Sequence, residues 1–118
     1  MVGPQTHLIA RYLDLLSVSQ RVTASNVANA DTPGYKTLGF DFQAELRAAL
    51  DDPAQAPLGE PHVRELGGRP VKNDGNDVNM EDELRTLSEN AIRFSHALLS
   101  LRGGIRSIRD AIHEGRGA

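Results

Sequence analysis

The sequence contains no cysteine and few aromatic residues. Its 118 residues include three Phe, two Tyr and no Trp. The absence of cysteine excludes disulfide bonds, thiolate catalysis and cysteine-ligated zinc sites, so the fold has to be held together by packing alone. With 39% hydrophobic residues, below the usual share of a globular domain, a large self-contained core is not expected. The length fits a single domain.

The chain also lacks a large excess of positive or of negative charge. Thirteen basic and sixteen acidic residues are spread along the chain, for a formal net charge of −3, so no overall field selects nucleic acid or an anionic membrane as a partner. No stretch approaches the roughly 18 apolar residues of a membrane span. The N-terminus has no basic leader followed by an apolar run, so neither Sec-dependent secretion nor membrane insertion is expected.

Sequence motifs of catalytic, phosphate-binding or metal-binding sites are not found either. The stretch "NDGNDVNME" places Gly75 and Glu81 as in a calcium loop, but Pro70 and Lys72 would then occupy two ligand positions, and neither can supply a carboxylate. No phosphate-binding glycine loop or nucleophile elbow occurs. The histidines lack metal-ligand spacing; they are His7, His62, His96 and His113. We therefore predict no catalytic residue, no metal, no cofactor and no enzyme activity.

Two long helices are predicted, one near each end of the chain. In the first, from about Gln5 to Asn29, apolar residues line one broad face. We expect this helix to end where Asn29 adopts a left-handed cap and where Pro33 disfavours a helical conformation of Thr32. Pro33 and Gly34 then suit the central positions of a type II turn.

The middle of the chain reads as mostly irregular. Asp41 is placed to cap a short helix over Phe40 to Leu50. Residues 51–71 are rich in proline and glycine, which predicts a loop or mobile excursion, with a short strand near residues 62–66.

The second long helix has a well-marked start. Asn79 is the predicted N-cap, and the acidic residues 81–83 complement the helix dipole in the first turn. Apolar residues then recur by fours and threes over more than four heptads, a pattern typical of coiled coils. Gly103 and Gly104 cost roughly 1 kcal/mol each relative to alanine and put the continuity of this helix in question. The predicted helix-seam interface consists of Leu8, Tyr12, Leu15, Val22, Leu84, Leu87, Ala91, Phe94, Leu98, Leu101, Ile105, Ile108 and Ile112.

These elements predict a mainly α fold in which the long N- and C-terminal helices pair as an antiparallel coiled-coil-like unit. The expected divisions are an N-terminal helix (1–30), a turn, short helix and loop (31–72) and a C-terminal heptad helix (73–118), together forming one assembly domain. Two helices alone leave part of their apolar faces exposed, so we expect neighbours from other chains.

The stretch "SNVANADTPGYK", Ser25 to Lys36, resembles the signature A-N-(V/I)-A-N-x-(D/N)-T-P-G-Y-(K/Q) of bacterial flagellar axial proteins, with Ser25 where the family more often has Ala. The flanks "GFDFQAELRAAL" and "DGNDVNMEDELRTLSENAIRF" look like those of a short proximal rod protein, rather than its sister FlgC or the longer distal rod and hook proteins. The resemblance covers about residues 8–50 and 73–118 and leaves the proline-rich middle unmatched.

The resemblance implies a structural subunit of the flagellar basal-body rod, the shaft that crosses the periplasm, assembled through its terminal helices for motility. It implies as partners other rod proteins, copies of itself, the basal adaptor FliE and the flagellar type III export apparatus, which needs no Sec signal; nucleic acid and membrane insertion are not implied. The alternatives are the sister protein FlgC and a cytoplasmic coiled-coil export chaperone or regulator.

Within the signature we predict an assembly motif. Tyr35 is expected to anchor the turn against a helix of the same or the next subunit, and the paired asparagines to offer directional hydrogen bonds. The alternative is that the motif is only an internal turn. The predicted motif consists of Asn26, Asn29, Asp31, Thr32, Pro33, Gly34 and Tyr35.

Overall fold

The computed structural model describes residues 4–51 and 59–117, and it confirms the mainly α fold. Two long helices pack against each other, and a short helix and a two-stranded antiparallel sheet lie between them in sequence. The elements in chain order are α1 (Pro4–Ala28), β1 (Leu38–Gly39), α2 (Phe42–Asp51), β2 (Arg64–Glu65) and α3 (Met80–Gly117).

Helix α1 ends close to the predicted residue but not by the predicted cap. No non-glycine residue in the described ranges has a positive φ, so the left-handed cap at Asn29 is wrong. Instead the Asn29 backbone N–H donates to the carbonyls of Ser25 and Asn26, at 3.0 and 3.2 Å, and its side chain donates to the Ser25 carbonyl at 2.9 Å. The last turn tightens through these shared bonds, which satisfies carbonyls without a left-handed residue.

The other local predictions at element ends are confirmed. The Tyr35 N–H donates to the Thr32 carbonyl at 3.2 Å, and φ of Gly34 is +75°, as a type II turn with glycine at its third position requires. Asp41 caps α2 by accepting from the Ala44 N–H at 3.0 Å. In the same way Asn79 caps α3, accepting from the N–H three residues on at 3.2 Å.

Helices α1 and α3 run antiparallel. Asn26 on α1 bonds to Glu83 on α3, whereas Ser19, two turns earlier on α1, accepts from the side chain of Asn90 at 2.8 Å. The α3 residues buried against α1 are spaced one heptad apart: Glu83, Asn90 and Ala97. Two of these three are polar, so hydrogen bonds as well as apolar packing fix the alignment of the pair.

Some residues of the predicted helix-seam interface are buried or half-buried within the chain, and others are exposed to solvent. Leu15 is fully buried, whereas on α3 Leu84 is 49% exposed and Phe94 is 38% exposed; Ala91 is exposed as well. The half-buried seam residues are Leu8, Tyr12, Val22, Leu87, Leu98 and Leu101. The side chains of Ile105, Ile108 and Ile112 lie outside the described residues. A role for the seam in assembly stays a prediction.

Helix α3 continues across Gly103 and Gly104 and reaches Gly117. The glycines therefore do not divide it. With 38 residues, α3 is much longer than the 25-residue α1, and the molecule is elongated, with extents of 72 × 26 × 15 Å.

The middle segment packs against α1 through α2. The rings of Tyr12 and Phe42 meet edge to face at 5.6 Å. Glu45 accepts from the backbone N–H of His62 at 3.0 Å and lies 2.8 Å from its ring Nδ1, so it also holds the chain that leads into β2. The strand predicted near residues 62–66 is confirmed by β2. Part of the predicted loop, residues 52–58, lies outside the described residues.

Candidate assembly site

The signature stretch docks against the loop that precedes α3. Residues 26–38 and residues 72–78 form what we call the loop junction. It brings together two segments that the sequence shows as separate turns, and hydrogen bonds join residues 29–37 of the first segment to residues 72–77 of the second. The junction closes the end of α1 against the start of α3.

Asn26, in the last turns of α1, links the first segment of the loop junction to α3 and is almost completely buried. Its Nδ2 donates to the Leu38 carbonyl at 2.9 Å and to Glu83 Oε2 at 3.2 Å. Its Oδ1 accepts from the Tyr35 hydroxyl at 2.8 Å and from the Leu38 N–H at 3.0 Å. An asparagine amide has two donors and two acceptor sites, and all four are used within the chain.

Tyr35 therefore anchors the turn against α1 of its own chain. The second asparagine is also engaged internally, because Asn29 Oδ1 accepts from the Thr32 hydroxyl at 3.1 Å. The remaining part of the predicted motif faces outward: residues 31–34 are exposed. Of the motif, these four residues are the part that a neighbouring molecule can reach without opening the junction.

Asn76 is the residue of the loop junction that sequence reasoning missed. It is 0% exposed, and its Nδ2 donates to the carbonyls of Asn29 and Thr32 at 2.8 and 2.9 Å. Its Oδ1 accepts from the Val78 N–H at 2.8 Å. Asn76 thus satisfies carbonyls just beyond α1 from a position 47 residues away along the chain. The signal was the Asp-Gly-Asn-Asp run, which we interpreted only as a turn before α3.

Asp77 forms the second buried polar contact between the two segments. Its Oδ1 accepts from the N–H and the hydroxyl of Thr37 at 2.6 and 2.7 Å. Burial alone raises the pKa of a carboxyl group, but the hydrogen bonds from Thr37 and the nearby charges of Lys36 and Arg69 outweigh it, so the pKa of Asp77 is held below its ordinary value. The carboxylate is the form that the loop junction binds.

Two glycines allow the backbones of the two loops to touch. Gly75 has a φ of +87°, and a Cβ at this position would lie 3.3 Å from the Cα of Gly34. The Gly34 N–H donates to the Asp74 carbonyl at 2.9 Å, and the ammonium group of Lys36 bonds to the Gly75 carbonyl. Glycine is needed at position 75 both for its backbone conformation and for this approach.

The described residues offer no sign of a metal centre: no group of three or more His, Asp or Glu side chains among them could hold an ion. Within the same ranges, none of the helices is both long enough and apolar enough to cross a membrane. The polar groups of the loop junction bond to one another, so their role in the described residues is to hold two segments of the fold together.

The end of α1 and the signature turn are the part of the chain that a known family model matches. The model, described as flagella basal body rod protein, covers residues 13–36. Curated relatives match over much more of the length. FlgB of Borrelia hermsii is 36% identical, with 75% of this chain and 80% of that protein covered. FlgB of Escherichia coli K12 is 31% identical, with 87% and 88% covered, and FlgB of Buchnera aphidicola is 30% identical, with 81% and 84% covered. The chain belongs to the FlgB family of flagellar basal body rod proteins.

Proposed function

We propose that this chain is a structural, non-enzymatic subunit of the flagellar rod, located at the basal body and assembled with other rod components. The names of its relatives support this role, and they do not favour FlgC or an export chaperone. The observation that carries the proposal is the apolar surface of α3 that α1 leaves uncovered, which is formed by Met80, Leu84, Ala91 and Phe94.

This surface calls for a partner because exposed apolar side chains in such number along one helix are unfavourable in water. The exposed part of the predicted seam lies within it. The side of α3 that carries Arg85 and Glu89 is charged and exposed, as expected of a solvent-facing surface. A subunit whose helix is apolar on one side and charged on the other is suited to lateral packing in a polymer.

The resemblance extends the proposal to finer points. They are location in the periplasmic part of the rod, contact with FliE and with further copies of this chain, and export through the flagellar type III apparatus. The assembly motif and the seam are proposed as the surfaces used, with the exposed residues 31–34 as the accessible part of the motif.

The test introduces a charge on the apolar surface. Leu84→Asp and Phe94→Asp place a carboxylate where packing against another subunit requires an apolar group, so neither variant should enter the rod. Each variant is expressed as the only copy, swimming is measured, and purified basal bodies are probed for the protein. Arg85→Asp is the matched control, because it introduces the same residue on the charged side of the same helix.

We expect the control to build rods and the two apolar-surface variants to leave cells non-motile. Because Leu84 and Arg85 are exposed, the free energy of unfolding of the variants at these two positions should stay close to that of the unaltered protein. Normal basal bodies containing Leu84→Asp would show that this surface is not an assembly contact. Absence of the unaltered protein from basal bodies would overturn the rod-subunit proposal itself.

A further inference from the structure

A groove lies between α1 and α3 on the side away from the apolar surface just described. It has a volume of about 350 Å³ and an apolar floor that includes Ile9, Tyr12 and Ala97. Arg93 and His96 stand at its edge; the Arg93 side chain is 54% exposed, and its nearest carboxylate is Glu89 at 3.8 Å. The groove therefore combines an apolar floor with one guanidinium group, that of Arg93, at its edge.

The first turns of α3 have the opposite character. Met80 and Leu84 project into solvent, 42% and 49% exposed, and Glu81 between them is exposed as well. Apolar side chains beside a carboxylate are the complement of an apolar floor beside the Arg93 guanidinium group. By the periodicity of the helix, Leu84 and the groove lie on roughly opposite sides of α3.

We propose that the groove receives the start of α3 from a second copy of this chain, with Met80 and Leu84 on the apolar floor and Glu81 beside Arg93. The inference rests on the proposed function and names one of the contacts by which copies would associate. The two surfaces differ and lie on opposite sides of one helix, so the contact is head-to-tail. A contact of this kind continues from copy to copy and builds a ring or a filament instead of stopping at a dimer.

The geometry also gives the offset between neighbouring copies. Leu84 and Ala97 are 13 residues apart on α3, which corresponds to about 20 Å along the helix axis. If α3 runs in the same direction in both copies, each copy is displaced by about that distance along the axis relative to the next.

Cysteine crosslinking tests the contact directly, because the chain has no cysteine of its own. Leu84→Cys and Ser100→Cys are made as two separate proteins. Ser100 is exposed and lines the groove. The two proteins are mixed and oxidised, both as concentrated purified protein and in basal bodies from cells that express both. We expect a crosslinked dimer in the mixture and none from either protein alone.

A chain that carries both cysteines makes the test stricter. The two positions are about 24 Å apart on one helix, far beyond the roughly 4.4–6.8 Å that a disulfide spans between Cα atoms. They cannot bond within one chain, so head-to-tail contacts should give a ladder of crosslinked oligomers. Ile92→Cys paired with Ser100→Cys is the control, because Ile92 is an exposed apolar residue of α3 outside the proposed contact.

The outcomes are distinguishable from a failure of the proposed function. Basal bodies that contain both variants but show no crosslink between positions 84 and 100 overturn the inference and leave the rod-subunit role intact. Crosslinking of Leu84→Cys with itself, or equal crosslinking by the Ile92 control, also overturns the head-to-tail contact. If the protein is absent from basal bodies, the rod role fails, and the purified protein alone then decides the inference.

A charge exchange provides a second measurement. Glu81→Lys should weaken self-association of the purified protein roughly two- to fivefold, the effect of losing one exposed ion pair, and Arg93→Glu should do the same. A mixture of these two variants should recover the association, since the opposite charges again face each other. If the mixture associates no better than either variant alone, Glu81 and Arg93 do not meet.

Discussion

At the scale of single residues, the loop junction depends on amide side chains that bridge backbone groups. Asn26 uses both donors and both acceptor sites, and Asn76 bonds to carbonyls at the end of α1. The paired asparagines therefore have a role within one chain. Replacing Asn26 by Ala would disturb these internal bonds whether or not the signature contacts a neighbour, so an interface role of the signature is better tested at the exposed Asp31.

The first prediction concerns Asn76. Asn76→Ala removes one acceptor and two donated hydrogen bonds and leaves the carbonyls of Asn29 and Thr32 without this partner in a part-buried site. We expect the free energy of unfolding to fall by about 2–4 kcal/mol, measured by urea denaturation. Asn73→Ala, an exposed position in the same segment, is the control and should change it by less than about 0.5 kcal/mol. Equal effects of the two substitutions would contradict the role given to Asn76.

The second prediction concerns acid stability. The pKa of Asp77 is lowered in the folded protein, and so is that of Glu45, where burial raises it but the hydrogen bonds from His62 and the charge of Arg11 outweigh that effect. A carboxyl group with a lowered folded pKa stabilises the fold above its unfolded pKa, and this contribution is lost as pH falls through the folded value. The ordinary values are 3.8 for Asp and 4.5 for Glu. Stability should therefore decline from about pH 4.5 downward.

Asp77→Asn separates the two contributions. The amide can still accept a hydrogen bond from Thr37, but it does not titrate, so the free energy of unfolding should depend less steeply on pH below 4 than in the unaltered protein. Urea denaturation at a series of pH values measures this dependence. Identical slopes for the two proteins would show that Asp77 is not held as a carboxylate by the fold.

At the scale of secondary-structure elements, the sequence was sufficient to predict the features that depend only on neighbouring residues. Pro33 and Gly34 form their turn, and Asp41 and Asn79 cap their helices, because each effect needs only neighbouring residues. Docking between segments was not predictable in this way. Nothing near Asn76 in the sequence indicates that its side chain bonds to the carbonyls of Asn29 and Thr32, just beyond α1.

The heptad pattern of α3 illustrates a related limit. It identifies apolar residues that need burial but not the molecule that buries them. Within the chain, α1 packs against Glu83, Asn90 and Ala97, whereas Leu84 and Phe94 of the predicted seam remain exposed. Helix α3 thus packs a mainly polar row of residues against α1 and leaves a neighbouring row of apolar residues exposed. This arrangement is expected of helices that complete their packing in an assembly.

The third prediction compares two glycines in different elements. Gly75→Ala puts a Cβ 3.3 Å from the Gly34 backbone at a φ of +87°, so it should destabilise the protein by about 1–2 kcal/mol. Gly103 lies in α3 with open space around its Cα, and Gly103→Ala should stabilise the protein by about 0.5–1 kcal/mol. Thermal unfolding monitored by circular dichroism measures both. Stabilisation by alanine at position 75 would mean that the two loops do not approach as described.

At the scale of the whole molecule, the elongated shape indicates that the packing of the helices is not completed within one chain. The radius of gyration is 18.6 Å, whereas a compact domain of this length has about 13–14 Å. The pairing of Asn26 with Glu83 and of Ser19 with Asn90 sets the alignment of α1 and α3. Continued along both helices, it places Pro4 near residue 105. The last turns of α3, about residues 106–117, therefore extend past the start of α1.

The fourth prediction follows from this overhang. The backbone amides of a helix are protected from hydrogen exchange only where packing keeps the helix from opening locally. Short helices without packing partners are only marginally stable in water. In the dilute isolated protein, amide hydrogens of residues 106–117 should exchange much faster than those of residues 83–101, which lie along α1. Hydrogen exchange measured by mass spectrometry resolves the two segments. In purified basal bodies the terminal segment should gain protection, because neighbouring subunits then cover it. Equal protection of both segments in the isolated protein would mean that α3 is stable without neighbours, and the argument from exposed helix surface to assembly would lose its physical basis.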